Sequence, residues 1–168
     1  MAKKFSHQNK IKTLSEVVAI ARRARRAGKK VVATNGCFDI LHVGHIRNFA
    51  AAKALGDILI VGINSDVSVR NIKGSSRPII LQKERAEMLA ALKDIDYVFV
   101  FGGTTPHSWI QKIRPHIHVK GGGADIRKHP LFKAQQRVIE DSGGTFILVP
   151  HVRGKSTSDI IRKIQTKK

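Results

Sequence analysis

Acidic residues are scarce in this chain. Twelve Asp and Glu stand against 31 Lys and Arg, for a formal net charge of +19 over 168 residues. A field of that sign draws in polyanions and phosphorylated small molecules. Aromatics are scarce too, at 5%, with one Trp and one Tyr. Single-strand nucleic-acid binders interleave stacking aromatics with their cations, so this composition argues against nucleic-acid recognition as the main function. It leaves room for weak, nonspecific, salt-sensitive binding to nucleic acid. Cys37 is the one cysteine, which excludes an internal disulfide and makes a cytoplasmic home the expectation. No apolar run approaches the roughly 18 residues a membrane span needs. The first twelve residues are polar and basic, unlike a secretory leader, and read as a basic N-terminal tail (1–12) before a single domain (13–168).

What is present is an alternation. Thr13-x-x-Glu16 forms a capping-box pattern that opens a helix running to residue 27, stopped by Gly28. Short apolar runs at 30–34, 57–63, 97–101, 117–120 and 145–149 predict five strands. The run DILIVGI at 57–63 is mostly apolar without polar alternation, as expected of a parallel strand covered on both faces. Helical stretches lie between them, at 43–55, 67–72, 82–93, 106–113 and 130–141, and a last one follows at 156–164. Alternating strands and helices call for an α/β fold, one Rossmann-like domain with a five-stranded parallel sheet and helices on both faces. Ligands of such folds sit at the carboxyl ends of the strands, so residues 35–45, 64–73, 120–125 and 151–157 are the candidate site segments.

The first of these segments reads Thr34-Asn35-Gly36-Cys37-Phe38-Asp39-Ile40-Leu41-His42-Val43-Gly44-His45. Two histidines three apart at the mouth of a helix could hold a metal with Asp39, or be ordinary helix-start residues. A phosphate cradle suits the pattern better. Gly36 and Gly44 let the backbone approach a ligand, free N–H groups gather at the helix start, and imidazoles donate to phosphate oxygens. The last segment, Gly154-Lys155-Ser156-Thr157-Ser158-Asp159, is on its own an N-cap, by Ser156 or Thr157.

Together the two segments resemble the signatures of the nucleotidyltransferase superfamily named for its HxGH motif, and Gly36-Cys37-Phe38-Asp39 to His45 resembles its cytidylyltransferase-like branch. The resemblance covers residues 30–164. Asn64-Ser65-Asp66, Arg70, Lys73-Gly74, Arg77-Pro78-Ile79, Glu84-Arg85-Ala86 and Val119-Lys120-Gly121-Gly122 narrow it to the heptose-1-phosphate adenylyltransferases. Those enzymes make ADP-activated glycero-manno-heptose for lipopolysaccharide or related glycans. Two positions depart from the pattern. Gly123 stands where those enzymes usually carry an Asp, and 126–138 is more basic than expected. His151 stands where the glycerol-phosphate cytidylyltransferases carry an arginine, which favours ATP over CTP.

The resemblance implies transfer of AMP from ATP to a sugar 1-phosphate, D-glycero-D-manno-heptose 1-phosphate, with release of pyrophosphate. The alternative is a glycerol-3-phosphate cytidylyltransferase or another small-phosphate nucleotidyltransferase. By the same resemblance His42, His45 and Lys73 are catalytic. Gly36, Cys37, Phe38, His42, His45, Arg85, Lys120, Gly121, Ser156 and Thr157 bind the nucleotide, and Asp39, Asp66 and Lys73 bind the substrate. Segment 126–138 faces the sugar or the base. Mg²⁺ arrives with ATP, held by phosphates and water rather than by side chains, and a homodimer is the expected assembly. Read without the resemblance, Arg85 and Lys73 could be solvated cations and Cys37 a small packing residue.

Overall fold

A computed structural model describes residues 5–122, 130–150, 152 and 154–166. In chain order the elements are α1 (Leu14–Arg26), β1 (Val31–Gly36), α2 (Val43–Lys53), β2 (Ile58–Asn64), α3 (Asp66–Lys73), α4 (Gln82–Ala90), β3 (Tyr97–Phe101), α5 (His107–Ile113), β4 (Ile117–Gly122), α6 (Pro130–Asp141), β5 (Thr145–Pro150) and α7 (Thr157–Thr166). The expected capping box forms: Thr13 N–H donates to Glu16 Oε2 at 2.7 Å, and Glu16 N–H donates back to Thr13 Oγ1 at 3.3 Å.

The five strands form one sheet in the order β3-β2-β1-β4-β5, all parallel. Side chains alternate across it, as the strand period requires. Val32, Leu59, Val61 and Val98 face α2 and α4, with Phe49, Ala86 and Leu89 packed on them. Val31, Ala33, Ile60 and Phe99 face α1, α5 and α6, meeting Val17, Trp109, Ile110 and Ile139. This is the α/β Rossmann-like architecture expected from the alternation.

The strand order places the functional crevice. The chain winds outward from β1 through β2 to β3, then crosses to β4 on the other side of β1. The connections therefore diverge between the carboxyl ends of β1 and β4, which leaves an open crevice there. Asn35 and Gly36 end β1 at that point, and Lys120, Gly121 and Gly122 end β4.

Residues 6–12 of the basic N-terminal segment pack against the domain. Ser6–Lys10 form a 3₁₀ turn. Lys10 Nζ donates to the carbonyls of Leu92 (3.0 Å) and Ile95 (2.7 Å). Gln8 Nε2 donates to Glu87 Oε1 at 3.0 Å, and Lys12 N–H to Val98 O at 2.8 Å. A cation seated on carbonyls just past a helix end is favourable, and charge composition alone does not reveal it.

Candidate active site

The crevice opens into a cavity of about 500 Å³, a size suited to a small ligand. Its floor is the turn between β1 and α2. Phe38 takes a left-handed backbone conformation (φ 49°), which bends the chain sharply after β1. Its ring meets the His45 ring edge-on at 5.2 Å and Phe49 at 5.1 Å. His42 caps α2, with Gly44 N–H donating to its Nδ1 at 3.1 Å. A ring nitrogen that accepts carries no proton, so the neutral imidazole holds its proton on Nε2. The two histidine rings stack at 3.8 Å. Glycine suits the position between them: a Cβ on Gly44 would lie 2.9 Å from the His42 ring, which would have to shift.

The start of α7 closes this floor from the side. Thr157 Oγ1 donates to Ile40 O at 3.1 Å, tying the last helix to the turn before His42. Ser156 Oγ donates to Asp159 Oδ2 at 2.7 Å and accepts from Asp159 N–H at 3.0 Å. Both hydroxyls assigned to phosphate thus have protein partners, and they build the helix start. The groups left to face an anion are the backbone N–H groups of the first turn and Ser158, which also lines the cavity.

Lys73, Arg77 and Lys120 also border the cavity. Lys120 Nζ donates to Asn35 O at 3.2 Å and lies 3.4 Å from Asn35 Oδ1. Burial pulls the Lys120 ammonium down to about 8; nearby Cys37 opposes the shift and Lys73 adds to it. The charge is therefore present below about pH 8 and lost above it. If that ammonium holds phosphate, kcat/KM falls as pH rises through about 8, since kcat/KM reports the free enzyme. Lys120→Met is expected to give a lower value with this alkaline limb removed. An unchanged limb in the variant would assign it to another group.

Three residues expected in direct ligand contact are engaged by protein partners. Arg85 is 1% exposed. It donates to Ile80 O (2.9 Å), Cys37 O (2.5 Å) and Asp66 Oδ1 (2.7 Å). These bonds hold the 37–41 turn from behind, and the guanidinium is not among the groups lining the cavity. Asp66 is correspondingly spent on Arg85 and on Gln82 N–H, at 2.9 Å. Asp39 borders the cavity, but its oxygens accept from Ile79 N–H, Ile80 N–H and Arg77 Nε. Burial pushes its carboxyl up, yet those two N–H groups and Arg77 outweigh that and hold it below the usual range. Burial raises the Cys37 thiol, against the pull of nearby Lys and Arg, so the thiolate is disfavoured. Gly36, Cys37, Phe38, Lys73 and Gly121 all border the cavity as expected. His151, Gly123 and Asp125 lie outside the described residues.

Asn48 went unnoticed in the sequence. It sits one turn after His45 on α2 and lines the cavity beside Gly121, its Oδ1 buried with no hydrogen-bond partner among the described residues. A Cβ on Gly121 would lie 3.4 Å from that oxygen. The i, i+3 spacing from His45, on one helix face, was the available signal.

The cytidylyltransferase-like family profile matches residues 33–163. The chain belongs to this family. It is 46% identical over 157 residues to the bifunctional protein HldE of Geotalea uraniireducens (strain Rf4), covering 94% of this chain and 31% of that protein. It is 43% identical over 162 residues to HldE of Aliarcobacter butzleri (strain RM4018), covering 96% and 32%. The chain thus spans about a third of the length of these curated relatives. The crystal structure of the lipopolysaccharide core biosynthesis protein from Thermoplasma volcanium GSS1 matches with a TM-score of 0.60 at 27% identity, over 76% of this chain and 100% of that one. Pantoate-beta-alanine ligase from Francisella tularensis shares the fold, with a TM-score of 0.63 at 17% identity, over 94% and 79%. In this cytidylyltransferase-like chain, the family match spans both the His42–His45 turn and the start of α7.

The Arg22, Arg23 and Arg26 side of α1 borders a separate basic groove with Lys12 and Lys112. Arg25 is held there by the carbonyls of Ile113 (2.7 Å) and Arg114 (2.6 Å). Among the described residues, no helix is long and apolar enough to cross a membrane.

Proposed function

We propose that this chain transfers AMP from ATP to D-glycero-D-manno-heptose 1-phosphate in the cytoplasm, giving ADP-heptose and pyrophosphate. One observation carries the reading. The His42–His45 turn and the first turn of α7 are tied together by the Thr157–Ile40 bond and border one cavity with Lys73 and Lys120. Two helix starts and two imidazoles suit a triphosphate, and the cations suit a second phosphate. The HldE relatives and the lipopolysaccharide core biosynthesis protein support a sugar phosphate as that second substrate.

In this reading, an oxygen of the sugar phosphate attacks the α-phosphorus of ATP. The bond from that phosphorus to the bridging oxygen breaks, and pyrophosphate leaves with the electron pair. The attacking group is already anionic, so no general base is needed. Catalysis is alignment plus stabilisation of charge on phosphate oxygens. His42, protonated on Nε2, donates to those oxygens, and His45 stacks beside it as a second donor. Lys73 holds the sugar's phosphate or the leaving pyrophosphate. Asn48 Oδ1 accepts from a donor on the nucleotide. Asp39 is the only carboxylate lining the cavity among the described residues, and its oxygens are occupied. That donor set fits Mg²⁺ held by phosphates and water, where it would offset charge on the triphosphate. A homodimer, and weak nonspecific nucleic-acid binding on the α1 face, belong to the same proposal.

The stereochemistry at phosphorus tests it. One in-line displacement inverts the configuration of a chiral thiophosphate at the α position. We expect inversion in the ADP-heptose analogue. Retention would require a covalent nucleotidyl-enzyme and would overturn the single-step mechanism.

A further inference from the structure

A second polar cluster lies on the α6 side of the crevice, across β1 and β4 from the two histidines. His118, the second residue of β4, is fully buried, with its ring stacked on Phe146 at 6.2 Å and tilted against Trp109 at 5.6 Å. Its Nε2 is 3.1 Å from Asn35 Oδ1 and 2.9 Å from the side-chain amide of Gln135 on α6. Asn35 and Gln135 are 8% and 5% exposed, and both line the cavity. The residues bordering β1 and β4 thus include two amides whose orientation depends on a single imidazole.

The proton inventory fixes that orientation. Lys120 Nζ can only donate, so the Asn35 atom facing it is the oxygen. His118 Nδ1 is buried with no partner among the described residues. Burial, with Lys120 nearby, holds the His118 pKa down to about 3, so the ring is neutral. Gln135 Nε2–H donates to Asn35 Oδ1 at 3.5 Å, so the amide nitrogen faces inward to Asn35 and His118. The Gln135 oxygen is the end left for a ligand. Leu131 and Phe132, one turn earlier on α6, add apolar wall next to it.

We propose that Gln135 is a specificity-determining contact for the sugar, its amide oxygen accepting from a hydroxyl of the acceptor, and that His118 is the positioning residue that sets the direction of this amide. An apolar wall beside an outward amide oxygen suits a sugar ring, which offers an apolar face and a rim of hydroxyls. This rests on the sugar-phosphate reading above.

The test is steady-state kinetics of the full chain with ATP and D-glycero-D-manno-heptose 1-phosphate, its monodeoxy analogues, and mannose 1-phosphate. Gln135→Leu is expected to raise KM for the heptose phosphate roughly tenfold, the size of one lost neutral hydrogen bond, with KM for ATP and kcat little changed. His118→Phe keeps the ring stacking but removes the Nε2 contact, and should shift the same KM in the same direction. His118→Gln restores a polar group near the Nε2 position and should bring KM back toward wild type. One deoxy position that the wild type rejects about tenfold should be accepted equally by Gln135→Leu. That comparison needs no folded His118 variant. If the substitutions raise KM for ATP instead, or if Gln135→Leu keeps the deoxy discrimination, the inference fails while the proposed function stands. If the wild type releases pyrophosphate with no sugar 1-phosphate in the panel, both fail.

Discussion

His42→Ala and His45→Ala each lower kcat by roughly 10²–10³-fold, the cost of losing one donor aimed at developing negative charge. KM for ATP changes far less, because the α7 backbone and the cavity cations still bind the ground-state triphosphate. Removing both histidines costs less than the product of the single effects. The rings stack at 3.8 Å, and groups that act as one unit are not additive. For His42 the loss has two parts: the Nε2 donor and the cap whose Nδ1 accepts from Gly44 N–H. His42→Asn keeps a capping acceptor, so it should recover stability without recovering kcat. A double variant with near-normal turnover would remove the histidines from the mechanism.

Arg85→Met destabilises the fold by about 3–5 kcal/mol in urea unfolding, the range for removing one partner of a buried ion pair. The substitution leaves Asp66 Oδ1 without its cation and strips the Cys37 and Ile80 carbonyls of their donors. Whatever fraction stays folded should bind ATP with near-normal KM, because the guanidinium is not among the groups lining the cavity. Wild-type stability with a strongly raised KM for ATP would instead return Arg85 to the triphosphate. The contrast with the histidines is between chemistry lost on an intact scaffold and a scaffold lost behind intact chemistry.

The strands were readable because parallel strands buried on both faces are continuous apolar runs. DILIVGI at 57–63 corresponds to β2, shifted by one residue at each end. The histidine turn and the α7 start were readable because helix starts need specific residues in specific places. What escaped was the direction in which polar side chains point. The resemblance makes Arg85 a nucleotide contact, and Leu89 lies four residues on along the same buried face of α4. A cation on that stripe needs a buried partner, and Asp66, 19 residues earlier, supplies it. The resemblance makes Asp39 a substrate contact, and its oxygens also gather two backbone N–H groups from a loop 40 residues away, a contact no local pattern encodes. Ser156 and Thr157 border the cavity, and their protons go to Asp159 and Ile40. His118 and Gln135 meet only because β4 pairs with β1 and α6 folds over both.

The most direct test of the account is a pyrophosphate-release assay of the purified chain that crosses ATP, CTP, GTP and UTP with a panel of phosphates, including D-glycero-D-manno-heptose 1-phosphate and glycerol 3-phosphate. The account predicts the highest kcat/KM for ATP with the heptose 1-phosphate, and ADP-heptose as the product by mass. Comparable or better turnover with CTP and glycerol 3-phosphate would contradict it and make the chain a cytidylyltransferase for a small polyol phosphate.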